Sequence, residues 1–302
     1  MPKPVEGLYA ALLVPRDAEG RVDEESFRKT VEFLAERGLR RVVLNGATGE
    51  YCLTAPDELR RLLEISREAL AGEGEFLCSI GSAGLAPSLA LGRMALEAGA
   101  RALLLPMPYF FPYSQDDLRC YCAAVAEALP APILLYNLPR FTTGLEPATV
   151  ERLVEDVPNI AGIKDSSGSL EILRRLTAGG AARACRIVGD DAVLAEALDE
   201  GVTDGGISGV AGVLPELLRA LFPGGPCQAE VRGRAAALMA ELIPRLSCLP
   251  VPWGLKWMAE WRGIAPARFA QPVSAARRGQ AEEFRDWFTA WWPPAQGALA
   301  GD

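Results

Sequence analysis

The chain has no histidine among its 302 residues, and only four of its 31 basic residues are lysines. Without an imidazole, a Ser-His-Asp triad, a His-ligated zinc ion and histidine acid–base chemistry are all excluded. Any catalytic work therefore falls to lysine, tyrosine, carboxylates and backbone amides.

Basic runs, paired cysteines and long apolar runs are also missing. A net charge of −8 without an arginine-rich stripe argues against a nucleic-acid partner. The seven cysteines are scattered, so they predict neither a disulfide framework nor a CxxC zinc site. No segment has the length and hydropathy of a membrane-spanning helix or a signal peptide, so we expect a cytoplasmic protein without a membrane partner.

Short apolar runs alternate with longer amphipathic stretches through most of the chain. Amphipathic patterns such as Glu24–Arg37 and Pro56–Ala71 predict helices between strands. The predicted strands are Leu8–Pro15, Arg41–Gly46, Phe76–Ser82, Arg101–Pro108, Pro132–Pro139, Ile160–Ser167, Cys185–Asp191 and Asp204–Val210. Such alternation predicts an α/β fold, a closed (β/α)8 TIM barrel. The rival, an open doubly wound sheet, would favour a GxGxxG loop after the first strand, which the chain lacks.

The alternation of strands and helices stops near residue 225. Gln228–Leu242, Trp253–Trp261 and Ala275–Trp292 have the pattern of helices. We therefore divide the chain into a barrel with the active site, residues 1–225, and a C-terminal helical extension, residues 226–302. The small, polar stretch from Pro293 onward is predicted to be frayed or disordered.

Two residues stand out at the strand ends, which in a (β/α)8 barrel form the active-site face. Lys164 ends a run that predicts a buried strand, and burial in general favours the neutral amine that attacks carbonyl carbon. Tyr136 ends the preceding strand and, without histidine, is a suitable proton carrier. The structural alternatives are an ion pair between Lys164 and Asp165, and a Tyr136 hydroxyl that is satisfied by the backbone.

Small residues follow strands two and eight. A turn after strand two can offer exposed amides to a carboxylate, although glycines there are also ordinary turn residues. Its residues are Gly46, Ala47, Thr48 and Gly49. We expect Glu50 to brace this loop, and Ser208 and Gly209 to contact substrate from strand eight.

Aromatic and acidic residues follow strands four and seven. Tyr109 and Phe110 are typical of packing or of a subunit contact. Asp190 is a candidate substrate contact, although Asp190 and Asp191 are also typical helix caps. A magnesium site formed by these two with Asp165 is a further alternative.

Three segments resemble the dihydrodipicolinate synthase and N-acetylneuraminate lyase family of class I aldolases. Residues 46–50 are similar to the family's GxTGE loop, residues 136–139 to its YNxP motif, and residues 162–164 to its GxK strand. Their order, spacing and placement on strands two, five and six match, and the similarity covers nearly the whole chain.

The resemblance implies a role for each segment. Lys164 would form an imine with pyruvate or another 2-oxo acid, Tyr136 would relay protons, and the loop 46–49 would receive the carboxylate. The resemblance also implies an enzyme that needs neither a cofactor nor a metal ion. It further implies a homotetramer, a dimer of dimers, in which Tyr109 and Phe110 reach the neighbouring subunit.

The chain departs from the synthase pattern in its proton relay and its arginine. Ala47 replaces a threonine and Phe110 replaces a relay tyrosine, so two hydroxyls are missing. Arg140 stands one position before the expected carboxylate-binding arginine, where Phe141 is found. The stretch 162–168 instead resembles members that cleave 2-keto-3-deoxy sugar acids or 4-hydroxy-2-oxo acids. This resemblance implies that Asp190 or Asp191 holds the substrate hydroxyls.

The sequence therefore favours a Schiff-base aldolase of a 2-keto-3-deoxy sugar acid or 4-hydroxy-2-oxo acid. The alternative is a 4-hydroxy-tetrahydrodipicolinate (dihydrodipicolinate) synthase. Further alternatives are a sugar-acid dehydratase that also begins from the imine, and a non-catalytic 2-oxo acid binding protein.

Overall fold

The eight predicted strands form one closed parallel barrel. A computed structural model describes residues 3–180, 183–222 and 228–300. The strands follow one another around the barrel in chain order, and β1 pairs with β8 to close it. Their bounds are β1 Gly7–Ala11, β2 Arg41–Leu44, β3 Glu75–Ser79, β4 Ala102–Pro106, β5 Ile133–Asn137, β6 Ile160–Asp165, β7 Cys185–Val188 and β8 Gly205–Ser208. The prediction of a (β/α)8 barrel is confirmed.

A helix follows each strand along the chain. Asp23 caps the first helix by accepting a hydrogen bond from the Ser26 N–H, and Ser114 caps the fourth together with Asp117. The helices are α1 Glu24–Glu36, α2 Pro56–Ala69, α3 Leu85–Glu97, α4 Gln115–Ala128, α5 Pro147–Asp156, α6 Glu171–Ala178, α7 Leu194–Asp199 and α8 Pro215–Arg219. Polar cap residues thus mark where the chain leaves the barrel mouth and turns into a helix.

Alternate residues of the strands pack into two separate hydrophobic cores, one inside the barrel and one between the barrel and the helices. Tyr9, Val43 and Leu104 pack together inside the barrel, whereas Ala10 and Val42 belong to the larger core that also contains the helices. Because both faces of each strand are buried, the strands read as continuous apolar runs instead of alternating ones. This is why the sequence located all eight of them.

Two glycines allow neighbouring strands to approach closely. A Cβ atom on Gly162 would lie 2.0 Å from the Cys185 carbonyl oxygen, and one on Gly205 would lie 2.1 Å from the Gly7 oxygen. Gly162 also has a φ of +147°, which side chains rarely permit. These contacts hold β6, the strand that carries Lys164, close to β7. They also hold β8 close to β1.

The predicted C-terminal helical extension is present, and it contains α9 Gln228–Leu246, α10 Trp253–Trp261 and α11 Ala275–Ala300. The predicted boundary at residues 225 and 226 lies outside the described residues and stays a prediction. The prediction of a frayed tail was wrong, because α11 continues through Pro293 to Ala300. Trp292 and Ala295 are buried in the core, and the Trp291 indole donates to Glu241 at 3.0 Å. In the part of the chain that is described, no helix has the length and apolar character to cross a bilayer.

Candidate active site

Lys164 and Tyr136 are neighbours on adjacent strands at the barrel mouth. Tyr136 on β5 pairs in register with Lys164 on β6, and the Lys164 Nζ lies 3.9 Å from the centroid of the Tyr136 ring. Each side chain is only 3% exposed, and both line the same cavity of about 290 Å³. The structure thus brings together the amine and the phenol that the sequence singled out.

The alternative ion pair between Lys164 and Asp165 is absent. Asp165 instead accepts hydrogen bonds from the Asn137 side-chain amide and the Ser167 N–H, both at 3.0 Å. Burial raises the pKa of the Asp165 carboxyl, and these two hydrogen bonds oppose the rise. Within residues 3–180, 183–222 and 228–300, no carboxylate oxygen lies within 4.0 Å of the Lys164 Nζ. The amine therefore remains available to a ligand in the cavity.

Gly189, at the end of β7, leaves the space that the Lys164 side chain occupies. A Cβ atom there would lie 2.6 Å from Lys164 Cε and 2.1 Å from Ser166 Oγ. The Ser166 hydroxyl lines the cavity, and it has no hydrogen-bond partner among the described residues. Both residues follow strand ends in the sequence and were expected at the barrel mouth, but sequence reasoning gave neither of them a role. The result is a free hydroxyl beside the amine.

The loop after β2 contributes two of its four predicted residues to the cavity. Ala47 and Thr48 line it, whereas Gly46 and Gly49 are not part of its lining. The Gly49 N–H donates to the Gly46 oxygen at 3.0 Å, so these two glycines close the turn. Glu50 braces the loop as expected, because its carboxylate pairs with the buried Lys256.

The loop after β8 contributes Gly209 but not Ser208 to the cavity lining. A Cβ atom on Gly209 would lie 3.1 Å from Thr48 Oγ1, so the loops after β2 and β8 are in contact. The Ser208 hydroxyl accepts a hydrogen bond from the Ala211 N–H at 3.0 Å. Ser208 is thus placed to support the loop behind the cavity.

Asp190 both lines the cavity and acts as a local cap. One carboxylate oxygen accepts a hydrogen bond from the Ala192 N–H at 3.0 Å. The other lies near Gly168, 3.3 Å from where a Cβ atom would stand. Of the residues whose positions are described, no three acidic or cysteine side chains cluster as metal ligands, so the structure gives no support to the magnesium alternative.

Asp191 lines the cavity beside Asp190, where either carboxylate is within reach of a bound ligand. Its carboxylate accepts a hydrogen bond from the Val210 N–H at 3.4 Å and another from the Ser208 hydroxyl. Burial raises the pKa of Asp191 to about 6, although these two hydrogen bonds and the charge of Lys164 act to lower it. The mouth therefore holds a carboxyl group that titrates close to neutral pH.

We expect Asp191→Asn to stabilise the folded chain above pH 6. The folded state retains the Asp191 proton up to about pH 6, whereas the unfolded state releases it near the ordinary aspartate pKa of 3.8. The stability contributed by this group is therefore complete below pH 3.8 and is lost as the pH rises through 6. The free energy of unfolding, from urea titrations, should rise by about 1–3 kcal/mol at pH 8 and by less at pH 5. An equal change at both pH values would contradict the assignment.

The predicted intersubunit aromatics lie outside the cavity lining. Tyr109 packs edge-to-face on Tyr51, with 5.8 Å between ring centroids. Phe110 is 85% exposed, has a φ of +85°, and contacts Phe111 with 4.9 Å between centroids. A non-glycine residue rarely adopts that backbone conformation. An exposed phenyl ring held this way suits the predicted subunit contact, which stays a prediction.

The cavity also has walls that the sequence did not reveal. Arg140 and Phe141 both line it, so the one-position offset of the arginine does not remove it from the mouth. The C-terminal extension supplies a further, mainly apolar wall that includes Ile243, Leu246, Leu249, Pro250, Val251 and Leu255. Lys164 and Tyr136 lie in the barrel, residues 1–225, and the extension completes the wall of the cavity around them.

Fold and site together define a class of protein. A closed (β/α)8 barrel with a buried, unpaired lysine beside a tyrosine at its mouth has the architecture of carbon–carbon lyases that work through a lysine Schiff base. The chain belongs to the dihydrodipicolinate synthetase family, whose family model matches residues 4–290.

Similar proteins support this membership over most of the chain. A 4-hydroxy-tetrahydrodipicolinate synthase from Thioalkalivibrio sulfidiphilus is 34% identical over 277 residues, covering 89% of this chain and 91% of the relative. The synthase from Methanopyrus kandleri is 32% identical over 298 residues, covering 93% and 94%.

Solved structures agree in fold. The 4-hydroxy-tetrahydrodipicolinate synthase from Methylacidiphilum fumariolicum SolV superposes with a TM-score of 0.87 at 23% identity, covering 97% of this chain and 99% of that one. The N-acetylneuraminate lyase from Mycoplasma synoviae superposes with a TM-score of 0.79 at 21% identity, covering 94% and 98%. At these identities, the likeness concerns the fold alone.

Proposed function

We propose that the chain is a class I lyase in which Lys164 forms an imine with pyruvate or another 2-oxo acid. The observation that carries this proposal is the Lys164 side chain, which is 3% exposed, lines a cavity and lies over the Tyr136 ring. A lysine buried without a carboxylate partner is costly, so its retention at a cavity supports a covalent role. Thr48 and the amides of the 46–49 loop would hold the substrate carboxylate.

The proposed chemistry begins with attack of the Lys164 nitrogen on the C2 carbonyl carbon. The carbonyl oxygen leaves as water after it receives protons, and the Tyr136 phenol would carry them. The resulting iminium accepts the electron pair that remains when C3 loses a proton, or when the C3–C4 bond breaks as the C4 hydroxyl loses its proton and the C4 fragment leaves as an aldehyde. The enamine formed in either case becomes an iminium again when C3 attacks the aldehyde carbon of a second substrate or takes up a proton. Hydrolysis then releases the 2-oxo acid and restores the amine. Because the iminium is the electron sink, this chemistry needs no added cofactor.

Two candidate reactions differ in the second substrate. The names of the curated relatives favour the synthase reaction with aspartate semialdehyde, and the position of Arg140 at the cavity allows it to bind a second carboxylate. The sugar-acid aldolase that the sequence favoured is supported by polar groups suited to substrate hydroxyls: Ser166, Asp190 and Asp191 line the same cavity. The comparisons favour the synthase over the aldolase.

The first experiment traps the imine. Borohydride added in the presence of pyruvate is expected to leave a reduced pyruvate adduct on Lys164, identified by peptide mass spectrometry. The buried Lys256 is an internal control, because its ammonium is paired with Glu50 and it should remain unmodified. An unmodified Lys164 at saturating pyruvate would overturn the proposal.

A second experiment separates the reactions that begin from the imine. A synthase should consume pyruvate with aspartate semialdehyde and not with glyceraldehyde. An aldolase should release pyruvate from 2-keto-3-deoxygluconate, whereas a dehydratase should convert sugar acids without releasing it. Pyruvate binding without imine trapping would favour the binding-protein alternative, and turnover on any of these substrates would exclude it.

The homotetramer, a dimer of dimers, is likewise a proposal. It is supported by the resemblance and by the exposed Phe110 and Phe111 beside the barrel mouth. Sedimentation velocity of the purified chain tests it directly.

A further inference from the structure

The chain has two buried lysines, and they stand in opposite environments. Lys164 and Lys256 are each 3% exposed. Lys164 has no carboxylate partner within the part of the chain that is described, whereas the Lys256 ammonium donates to the Glu50 carboxylate and to the Arg268 carbonyl oxygen, the latter at 3.0 Å. Lys256 does not line the cavity. Lys256 can therefore affect the cavity only through the residues that its ammonium contacts.

Glu50 is the last residue of the loop that carries Thr48. Its backbone is left-handed, with a φ of 54°, and only 9% of the residue is exposed. Its N–H donates to the Ala47 oxygen at 3.0 Å, and the next N–H, that of Tyr51, donates to the Gly46 oxygen at 3.3 Å. The side chain that Lys256 holds thus belongs to the hydrogen-bonded turn that would receive the substrate carboxylate.

The helix that carries Lys256 also touches the opposite side of the same pocket. A Cβ atom on Gly209 would lie 2.8 Å from Leu255 Cδ1 and 3.1 Å from Thr48 Oγ1. Leu255 precedes Lys256 on α10, so one turn of this helix contacts both the Glu50 loop and the loop after β8. The relative position of the two loops therefore depends on α10.

We propose that Lys256 is a positioning residue that fixes the Gly46–Glu50 loop for binding of the 2-oxo acid carboxylate, so that the C-terminal extension sets the affinity of the site. This inference rests on the proposed function. A buried ion pair contributes little net stability, because desolvation of both charges offsets their attraction. Its effect on the loop should therefore be separable from its effect on folding.

The test compares the double variant Glu50→Gln/Lys256→Met with the wild-type chain. Removing both charges leaves no unpaired buried ion, so the thermal midpoint should stay close to that of wild type. The pyruvate concentration that half-saturates borohydride trapping should rise at least about tenfold, and the trapping rate at saturating pyruvate should change less than about threefold. A matched control neutralises the exposed pair Glu151 and Arg175, whose shortest contact is 2.7 Å, and should change neither value.

The possible outcomes separate this inference from the proposed function. If wild-type Lys164 is not trapped, the proposed function fails, and the inference fails with it. If wild type is trapped and the folded double variant has an unchanged half-saturation, the positioning role alone is overturned. Should the double variant not fold, Glu50→Asp decides, because it keeps both charges and shortens the contact by one methylene. An unchanged half-saturation in that variant overturns the inference, and a rise of about tenfold supports it.

Discussion

Lys164→Met is expected to abolish pyruvate trapping and to lower kcat/KM by at least about 10⁴-fold. Methionine keeps the length of the side chain and removes only the amine, so the covalent step has no nucleophile. Lys256 cannot substitute, because Glu50 holds its ammonium and it does not line the cavity. Peptide mass spectrometry after borohydride treatment and steady-state kinetics with pyruvate and an aldehyde check the two effects.

The folded state should tolerate the Lys164→Met change. No carboxylate within the described residues depends on Lys164 for an ion pair, and a thioether replaces a buried amine at little cost. The free energy of unfolding is expected to be unchanged or slightly higher than in wild type. Lys164→Met that retains trapping or turnover would show that another residue performs the covalent chemistry.

The barrel was predictable because its strands have two buried faces. Runs such as Leu103 to Leu105 are apolar at every position, and strand–helix alternation leaves few topologies to consider. The predicted strands ran too far at their carboxyl ends, as at Asp191 beyond β7, because the mouth loops continue directly from them. The tail was mispredicted from its small, polar residues, because α11 continues through Pro293 and packs on the core through Trp292 and Ala295.

The catalytic pair was predictable, and much of its surroundings was not. Lys164 and Tyr136 end consecutive strands, and parallel pairing then brings consecutive strand ends together. The apolar wall from residues 243–255 depends on how the extension packs over the mouth, which periodicity does not encode. Lys256 had a usable signal, since a scarce lysine among Leu255 and Met258 is anomalous in the same way as Lys164.

Tyr136→Phe is expected to lower kcat by about 10²–10⁴-fold and to leave the half-saturating pyruvate concentration nearly unchanged. The change removes one oxygen atom and keeps the ring over the Lys164 amine at 3.9 Å, so binding and packing persist. The loss should be large because the chain has no histidine and because Ala47 and Phe110 provide no hydroxyl.

Ser166 and Asp191 are two further groups in the cavity lining that can carry a proton, and they provide the controls for Tyr136→Phe. Ser166→Ala and Asp191→Asn should each cost less than about tenfold in the rate of trapping if Tyr136 is the principal relay. If Tyr136→Phe instead keeps wild-type rates and Asp191→Asn loses them, proton transfer runs through the carboxyl group. In that case the rate of imine formation should also fall as the pH rises through about 6, because Asp191 then loses the proton that it would donate. The pH profiles of the three variants therefore identify the group that completes the reaction at Lys164.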